Sequence, residues 1–563
     1  MKKKAATLLM TSFLLVGCQK NLESESKKAQ ENFQDAITAI NEIQAAEDQL
    51  SEDFKKDIAA DESLTILTKK DGASQTNLKS RQDAFSDLKK ANDNFQDNIS
   101  WLAEDGQAQD LAQAGQAAGE SLNAYIQDYQ SLLEAEDNFY QHLTKEEADL
   151  ASFDDGISQL NQMHQQAQAD LAQASQATPA IMAVDTSAKL EEGPTELSVN
   201  TGGQFIERPS RLPGKFTFDS GVDIAYPEEG VKGIYFSAHG MGTPEIYQRN
   251  IDLIKSSGLN SVVIDYKSDW GSITTDVETD DKLIQSMVQK TFDKNDVMAT
   301  LEENQIYPIA RITTFKDNFA ATDKPEWSFR DSNGEVWTDD IGAAYLNPYN
   351  KEVWAYVVDI AKEAAKAGFK DIQFDYVRFP EAFDSLATEL DYDMGDYAEY
   401  GKDSVEARQL AIADFLAYAK KELEVYGVEV SADIFGYVTT SGSATGIGQD
   451  YAAIAENVDA ISAMIYPSHW TPGDFGIAAP DKEPGAVVEH YITAELALNN
   501  NLSHPPKSRP WLQDFTASYL PDGMYIDYNA PQVQAQIDTL AEHGVHEYLL
   551  WDASNDYSTG VNY

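Results

Sequence analysis

The chain has 563 residues, 42 Lys and Arg against 94 Asp and Glu for a formal charge of −52, and one cysteine. So negative a surface repels nucleic acid and argues against a nucleic-acid role. A single cysteine rules out an internal disulfide, so the fold rests on core packing, and the length allows two domains.

Three cations, Lys2, Lys3 and Lys4, precede an apolar run from Ala5 to Val16 that leads into Leu15-Val16-Gly17-Cys18. The run is too short to cross ~30 Å of hydrocarbon, so residues 1–17 read as a signal peptide. The four residues ending in Cys18 resemble the lipobox of bacterial lipoproteins. That resemblance implies acylation of Cys18 as the mature N-terminus, and a lipid-anchored place on the extracellular face of the bacterial cell membrane.

Residues 18–176 contain no proline, and their apolar positions recur in steps of three and four. Phe33, Ile37 and Ile40 form one such set, Leu78, Phe85, Leu88 and Phe95 a second, Leu122, Ile126, Tyr129 and Leu133 a third, and Phe153, Ile157, Leu160 and Leu171 a fourth. Such stripes predict an all-α antiparallel bundle of three or four long helices, turning near Asp71-Gly72, Glu104-Asp105-Gly106 and Thr144-Lys145. The region resembles the YkyA-type cell-wall-binding lipoprotein family; a helical spacer without a ligand of its own is the other reading. Residues 177–213 hold Pro179, Pro194, Gly202, Gly203, Pro209 and Pro213 without periodicity and read as a flexible linker.

From residue 214 to 563 the pattern changes to short β-branched and aromatic runs alternating with helical stretches. The predicted strands are 233–239, 261–267, 306–313, 371–379, 428–435, 460–466, 509–515 and 545–552. Helices over Pro244 to Ser257, Lys351 to Ala367, Ser404 to Val425 and Ala530 to His543 fill gaps between them. Eight strand-plus-crossover units predict an α/β fold, a (β/α)8 TIM barrel. A doubly wound sheet is disfavoured because no Gly-rich dinucleotide loop follows the first strand, and no cofactor is expected.

A barrel's active site lies at the C-terminal ends of its strands, and these ends are polar. They offer His239, Asp265 and Lys267, Arg311, Asp375 and Arg378, Asp433, Tyr466 and His469, Asp514, and Asp552. In the fourth strand, period-two alternation sets Ile372, Phe374 and Tyr376 on the outward face and turns Gln373 and Asp375 inward. Asp433 takes the same orientation on the fifth. Two inward carboxylates on adjacent strands suit glycoside hydrolysis, one as proton donor and one as nucleophile or base. Trp270, Trp327, Trp337 and Trp470 fall in the following loops, where flat rings can stack on sugars. A metal site using His239, Asp265 and His469 is the weaker reading, since no close ligand motif supports it.

The runs Phe374-Asp-Tyr-Val-Arg-Phe-Pro380, Ser431-Ala-Asp-Ile-Phe-Gly436, Pro510-Trp-Leu-Gln-Asp-Phe515 and Trp551-Asp-Ala553 resemble, in order, the DUF4015 family of glycosyl-hydrolase-like domains. By analogy with amylase-type barrels the resemblance implies Asp375 as nucleophile or base and Asp433 as general acid, with Glu381 as a spare acid. The second position departs from the Glu of amylase-type enzymes. Chitinase-type barrels end their fourth strand in Asp-x-Asp-x-Glu, whereas Gln373 and Val377 replace the outer two acids here. The expectation is a membrane-anchored glycosidase of a cell-wall, capsular or other extracellular polysaccharide. His239, Asp265, Lys267, Trp270, Arg311, Arg378, Tyr466, His469, Asp514 and Asp552 would bind substrate. The alternative is a non-catalytic carbohydrate- or wall-binding lipoprotein.

Overall fold

The computed structural model describes residues 3–106, 108–183, 193–200 and 202–563, with side chains from Leu22 onward. The Cys18 side chain, and with it the expected lipidation, lies outside the described residues. Among those residues no helix is long and apolar enough to cross a membrane. The chain divides into two compact units, Met1–Phe216 and Thr217–Tyr563.

The first unit is helical: α1 (Lys3–Glu47), the short α2 (Leu50–Ala60), α3 (Ala73–Asp105), α4 (Gln109–Leu143) and α5 (Leu150–Met182). The predicted stripes supply its core, with Phe33, Ile37, Leu88, Phe95, Tyr129 and Leu171 all buried. Helix ends fall where backbone chemistry requires them. Gly106 closes α3 in the left-handed region at φ 75°, and Asp149 opens α5 with a reciprocal cap to Ser152. A fully buried ion pair, Arg81 to Glu136 at 2.5 Å, joins α3 to α4, and the Tyr140 hydroxyl donates to the same carboxylate at 2.9 Å.

The expected linker differs from a free chain. Helix α5 continues through Pro179 to Met182, and Phe205, Ile206 and Leu212 are buried in the bundle core. The Asn161 side chain holds this segment, accepting from the amides of Phe205 and Ile206 and donating to Ile206 O. The cause is hydrophobic: an extended segment with three large apolar residues gains by burial yet carries no helical period for the sequence to reveal.

The second unit is the expected barrel. Its strands are β1 (Lys232–Phe236), β2 (Ser261–Lys267), β3 (Tyr307–Thr313), β4 (Asp371–Asp375), β5 (Glu429–Phe435), β6 (Ala460–Met464), β7 (Trp511–Gln513) and β8 (Tyr548–Trp551). Each pairs in parallel with the next, β6 and β7 meeting at Met464 and Trp511, and the ring closes where Lys232 pairs with Tyr548. Helices such as Pro244–Ser256, Lys351–Lys366, Val405–Leu423 and Ala530–Glu542 fill the crossovers.

The lumen is polar in layers. At the N-terminal end Arg509 is fully buried and donates to Asp371 Oδ2 (2.6 Å) and Glu547 Oε2 (2.8 Å). Burial nonetheless pushes Asp371 up to about 6. Above it Gln373 donates to Ser462 Oγ (3.2 Å), and Asp375 forms the next inward layer. This closes the barrel floor and leaves the C-terminal end for chemistry.

Candidate active site

A cavity of about 230 Å³ opens at the C-terminal ends of the strands. Of the residues predicted from sequence it gathers Arg311, Asp375, Arg378, Glu381, Asp433, Tyr466 and His469. The register explains the two aspartates. Thr313 pairs with Asp375, and Phe374 pairs with Ala432, so Asp433 stands level with Asp375 on the neighbouring strand.

Arg311, buried on β3, organises the acidic side. It donates from Nε and Nη2 to Asp375 Oδ2 (2.9 and 2.6 Å), from Nη1 to Asp265 Oδ1 (2.6 Å) and from Nη2 to Asp269 Oδ1 (2.8 Å). Its planar fork suits such simultaneous pairing, which a lysine could not reproduce. Burial raises Asp269, but the charge and hydrogen bond of Arg311 outweigh it and hold that carboxyl below the usual range. Asp375 Oδ1 accepts from the Tyr376 amide (2.6 Å). Three of its roughly four acceptor positions are thus filled, leaving one toward the cavity.

Asp433 sits in a different environment. It is 2% exposed, forms no salt bridge among the described residues, and accepts from Trp511 Nε1 at 2.8 Å. Burial, and then the charge of Asp375, push it well above the ordinary carboxylate range; the indole hydrogen bond and Arg311 oppose them. Two neighbouring acids are thereby set apart by their surroundings, the condition for separate acid and nucleophile roles.

Tyr376 corrects the outward assignment. Its φ is 49°, the left-handed region, so alternation breaks immediately after β4 and the ring lines the cavity instead of facing the outer helices. Such strain costs roughly 1–3 kcal/mol and concentrates at functional sites. Lys316 lies 4.4 Å from the Tyr376 ring centroid and 5.5 Å from that of Trp270. Trp270 itself is 46% exposed and lies outside the cavity.

The remaining predicted residues are placed elsewhere. Asp265 is buried beneath the cavity, held by Arg311 and the Tyr235 hydroxyl (2.7 Å), where it orients the arginine. Lys267 is fully buried, paired with Asp317 at 2.9 Å and donating to Thr313 O. Asp514 accepts from Ser558 Oγ (2.6 Å), and Asp552 accepts from the Ser554 amide (2.7 Å), so both acids brace loops. His239 is exposed in a short helix after β1. His239, Asp265 and His469 do not converge; among the described residues no three His, Cys, Asp or Glu side chains form a set that could hold an ion. Trp327 packs inward, donating to Glu352. The tryptophans that do line the cavity are Trp511, which begins β7, and Trp551, which ends β8; both were noted only within motifs. Trp551 stacks on Tyr235 at 4.1 Å, with Arg311 5.6 Å from its ring centroid. Asp269 also lines the cavity and was not singled out, since it falls in the loop after β2; Phe515 lines it too and appeared only within a motif.

Residues 233–557 match the model of the DUF4015 family, described as "Putative glycosyl hydrolase domain". The chain belongs to this family. The DUF4015 match spans the barrel, and the barrel is therefore a glycosyl hydrolase domain. Residues 19–184 match the YkyA family, described as "Putative cell-wall binding lipoprotein". Among solved structures the chain is similar to a hypothetical protein from Ruminiclostridium thermocellum ATCC 27405, with 33% identity, 36% of this chain and 96% of that one covered, and a TM-score of 0.31. It is also similar to the PgaB (BpsB) glycoside hydrolase domain from Bordetella bronchiseptica (15% identity, 58% and 95% covered, TM-score 0.41). A third is the spore cortex-lytic enzyme SleL from Bacillus megaterium QM B1551 (14% identity, 66% and 77% covered, TM-score 0.34). No curated protein matches the sequence.

Proposed function

We propose that the barrel hydrolyses glycosidic bonds of an extracellular polysaccharide, with Asp375 as nucleophile and Asp433 as general acid and base. The chain would be held at the outer face of the cell membrane by lipid on Cys18, with the helical unit, residues 18–176 and the segment packed on it, as wall-binding element or spacer. The observation that carries the assignment is the asymmetry of the pair: Asp375 is clamped by Arg311, while Asp433 is buried and, among the described residues, has no salt bridge and accepts from one indole.

Asp433 gives its proton to the leaving glycosidic oxygen as an Asp375 oxygen attacks the anomeric carbon, forming a glycosyl ester and freeing the first product. Asp433, now ionised, takes a proton from water, whose oxygen displaces Asp375 and releases the second sugar. One strand spacing, about 4.8 Å, separates the two backbones, which favours the ~5–5.5 Å carboxyl separation of retaining enzymes over ~6.5–9.5 Å. Glu381 is a poorer acid, since its side chain is 72% exposed and paired with Arg378. Arg378, Tyr466 and His469 line the cavity as substrate contacts, with Trp270 outside its rim.

The full chain, Asp375→Asn and Asp433→Asn are incubated with wall and capsular polysaccharide fractions, and reducing ends are measured. Wild type releases them, and loss of the acid lowers the rate roughly 10²–10⁴-fold. Equal release by wild type and both variants refutes the assignment.

A further inference from the structure

The active cavity alone is small for a polymer-binding site, below the ~300–1,000 Å³ usual for ligand pockets. A second groove of about 380 Å³ adjoins it, and Glu381 lines both. The groove is bounded by Glu381, Asp384, Tyr437, Ser443, Thr445 and the backbone of Gly446. Together the two volumes fall within the usual range.

An aromatic track crosses from one to the other. Phe435 lines the cavity, and the Tyr437 ring stacks on it at 5.4 Å with planes 21° apart. Tyr437 is 44% exposed, which leaves one face of its ring free for a sugar. Beneath the rings, the loop carrying Ser443–Ala444 and Gln449–Asp450 forms a small antiparallel ladder and is pinned to the strand ends. The Phe379 amide donates to Ile447 O (2.9 Å), Arg408 Nε to Thr445 O (3.0 Å), and the Phe435 amide to Gln449 Oε1 (3.3 Å). The wall is therefore built before any ligand arrives, which lowers the ordering cost of binding.

Charge narrows the occupant. Two carboxylates, Glu381 and Asp384, and three hydroxyls, those of Tyr437, Ser443 and Thr445, line the groove, with no Lys or Arg among its lining residues; Arg378 pairs with Glu381 from outside it, so Asp384 carries the groove's net negative charge. A uronic acid or phosphorylated sugar would meet like charge there.

We infer that the groove over Tyr437 is a further sugar-binding subsite for a neutral or cationic unit of the polysaccharide chain, so that the enzyme holds its polymer across the cleavage point and cuts internally. The inference rests on the glycosidase reading of the cavity. Binding to full-length Asp433→Asn protein is measured by calorimetry with ladders of three to six units of glucosamine, N-acetylglucosamine and galacturonic acid. The expected result is an affinity that rises with length for a neutral or cationic ladder, with the rise cut about tenfold in the Tyr437→Ala, Asp433→Asn double variant. A step unchanged by Tyr437→Ala, tightest binding of the galacturonate ladder, or no binding of any ladder overturns it. Reducing-end release by wild type separates the two levels: if it persists while the step is absent, the groove assignment alone fails, and if it is absent, the glycosidase reading fails.

Discussion

Trp511→Phe tests the proposed acid with little disturbance of shape. It keeps an aromatic ring in the cavity wall and deletes the 2.8 Å hydrogen bond from Nε1 to Asp433 Oδ1. That bond favours the ionised carboxylate, against burial and the neighbouring charge of Asp375, which favour the protonated acid. Removing it makes the proton harder to lose. A hydrogen bond to a charged group is worth about 1.5–3 kcal/mol, and one pH unit corresponds to 1.36 kcal/mol, so the proton should be retained about one to two pH units higher. The alkaline limb of the kcat/KM profile reports the general acid. Measured on a polysaccharide cleaved by wild type, that limb should move upward while the acidic limb stays in place. An unmoved alkaline limb, or a downward shift, would remove Asp433 from the role of proton donor; a shift confined to the acidic limb would make it the base instead.

Other outcomes follow from the same geometry. Arg311→Lys should lower kcat/KM on the order of 10²-fold, because an ammonium cannot bridge Asp265, Asp269 and Asp375 at once and Asp375 loses its position; activity near wild type would refute this. Arg81→Leu leaves Glu136 charged and unpaired in the bundle core and should destabilise the helical unit by about 3–5 kcal/mol, read from denaturant unfolding followed by far-ultraviolet circular dichroism. Burial pushes Asp514 and Glu495 each up to about 7. Their folded values lie above their unfolded ones, so stability present below about pH 4 is lost as pH rises through 7. Asp514→Asn with Glu495→Gln should flatten that decline. Tryptophan fluorescence follows it, since seven of the eight tryptophans lie at 270 or beyond.

Most of the barrel was legible because each strand carries its own local signal. The predicted second strand coincides with Ser261–Lys267, and the other seven differ mainly by overrunning into the loops. Asp375 and Asp433 were reachable because inward alternation holds up to the ends of β4 and β5. The same rule, carried one step further, would have removed two candidates. On β7 Trp511 faces the lumen, which makes Gln513 inward and Asp514 outward; on β8 Trp551 lines the cavity, so Asp552 turns away. Tyr376 failed the other way, since a left-handed residue ends the alternation and nothing in the residue type announces it. A register shift between Asp265 and Lys267 sets Lys267 level with the outward Ile312 and off the lumen, and its partner Asp317 lies fifty residues on, beyond any local pattern. Tertiary pairing was the missing information for Lys267.

The two ends of the lumen give the strongest internal argument for the proposed roles. At the floor, Arg509 pairs with Asp371, Glu429 and Glu547; at the mouth, Arg311 pairs with Asp265, Asp269 and Asp375. One arginine bridging three acids, joined at the floor by Lys507 on Glu429, satisfies buried charge at either end, and at the floor that is the whole effect. The mouth carries a further acid. Asp433 adds a fourth acid with no cation of its own among the described residues, beside a carboxylate already claimed by Arg311. A buried acid left in that position costs stability, and the cost falls if it keeps its proton. A fold selected only for stability would place Asn or Ser there, as it places Ser431 and Ser462 deeper in the lumen. Retaining an acid at that point, facing the cavity and tuned by a single indole, is explained by a reaction that needs a proton to give away.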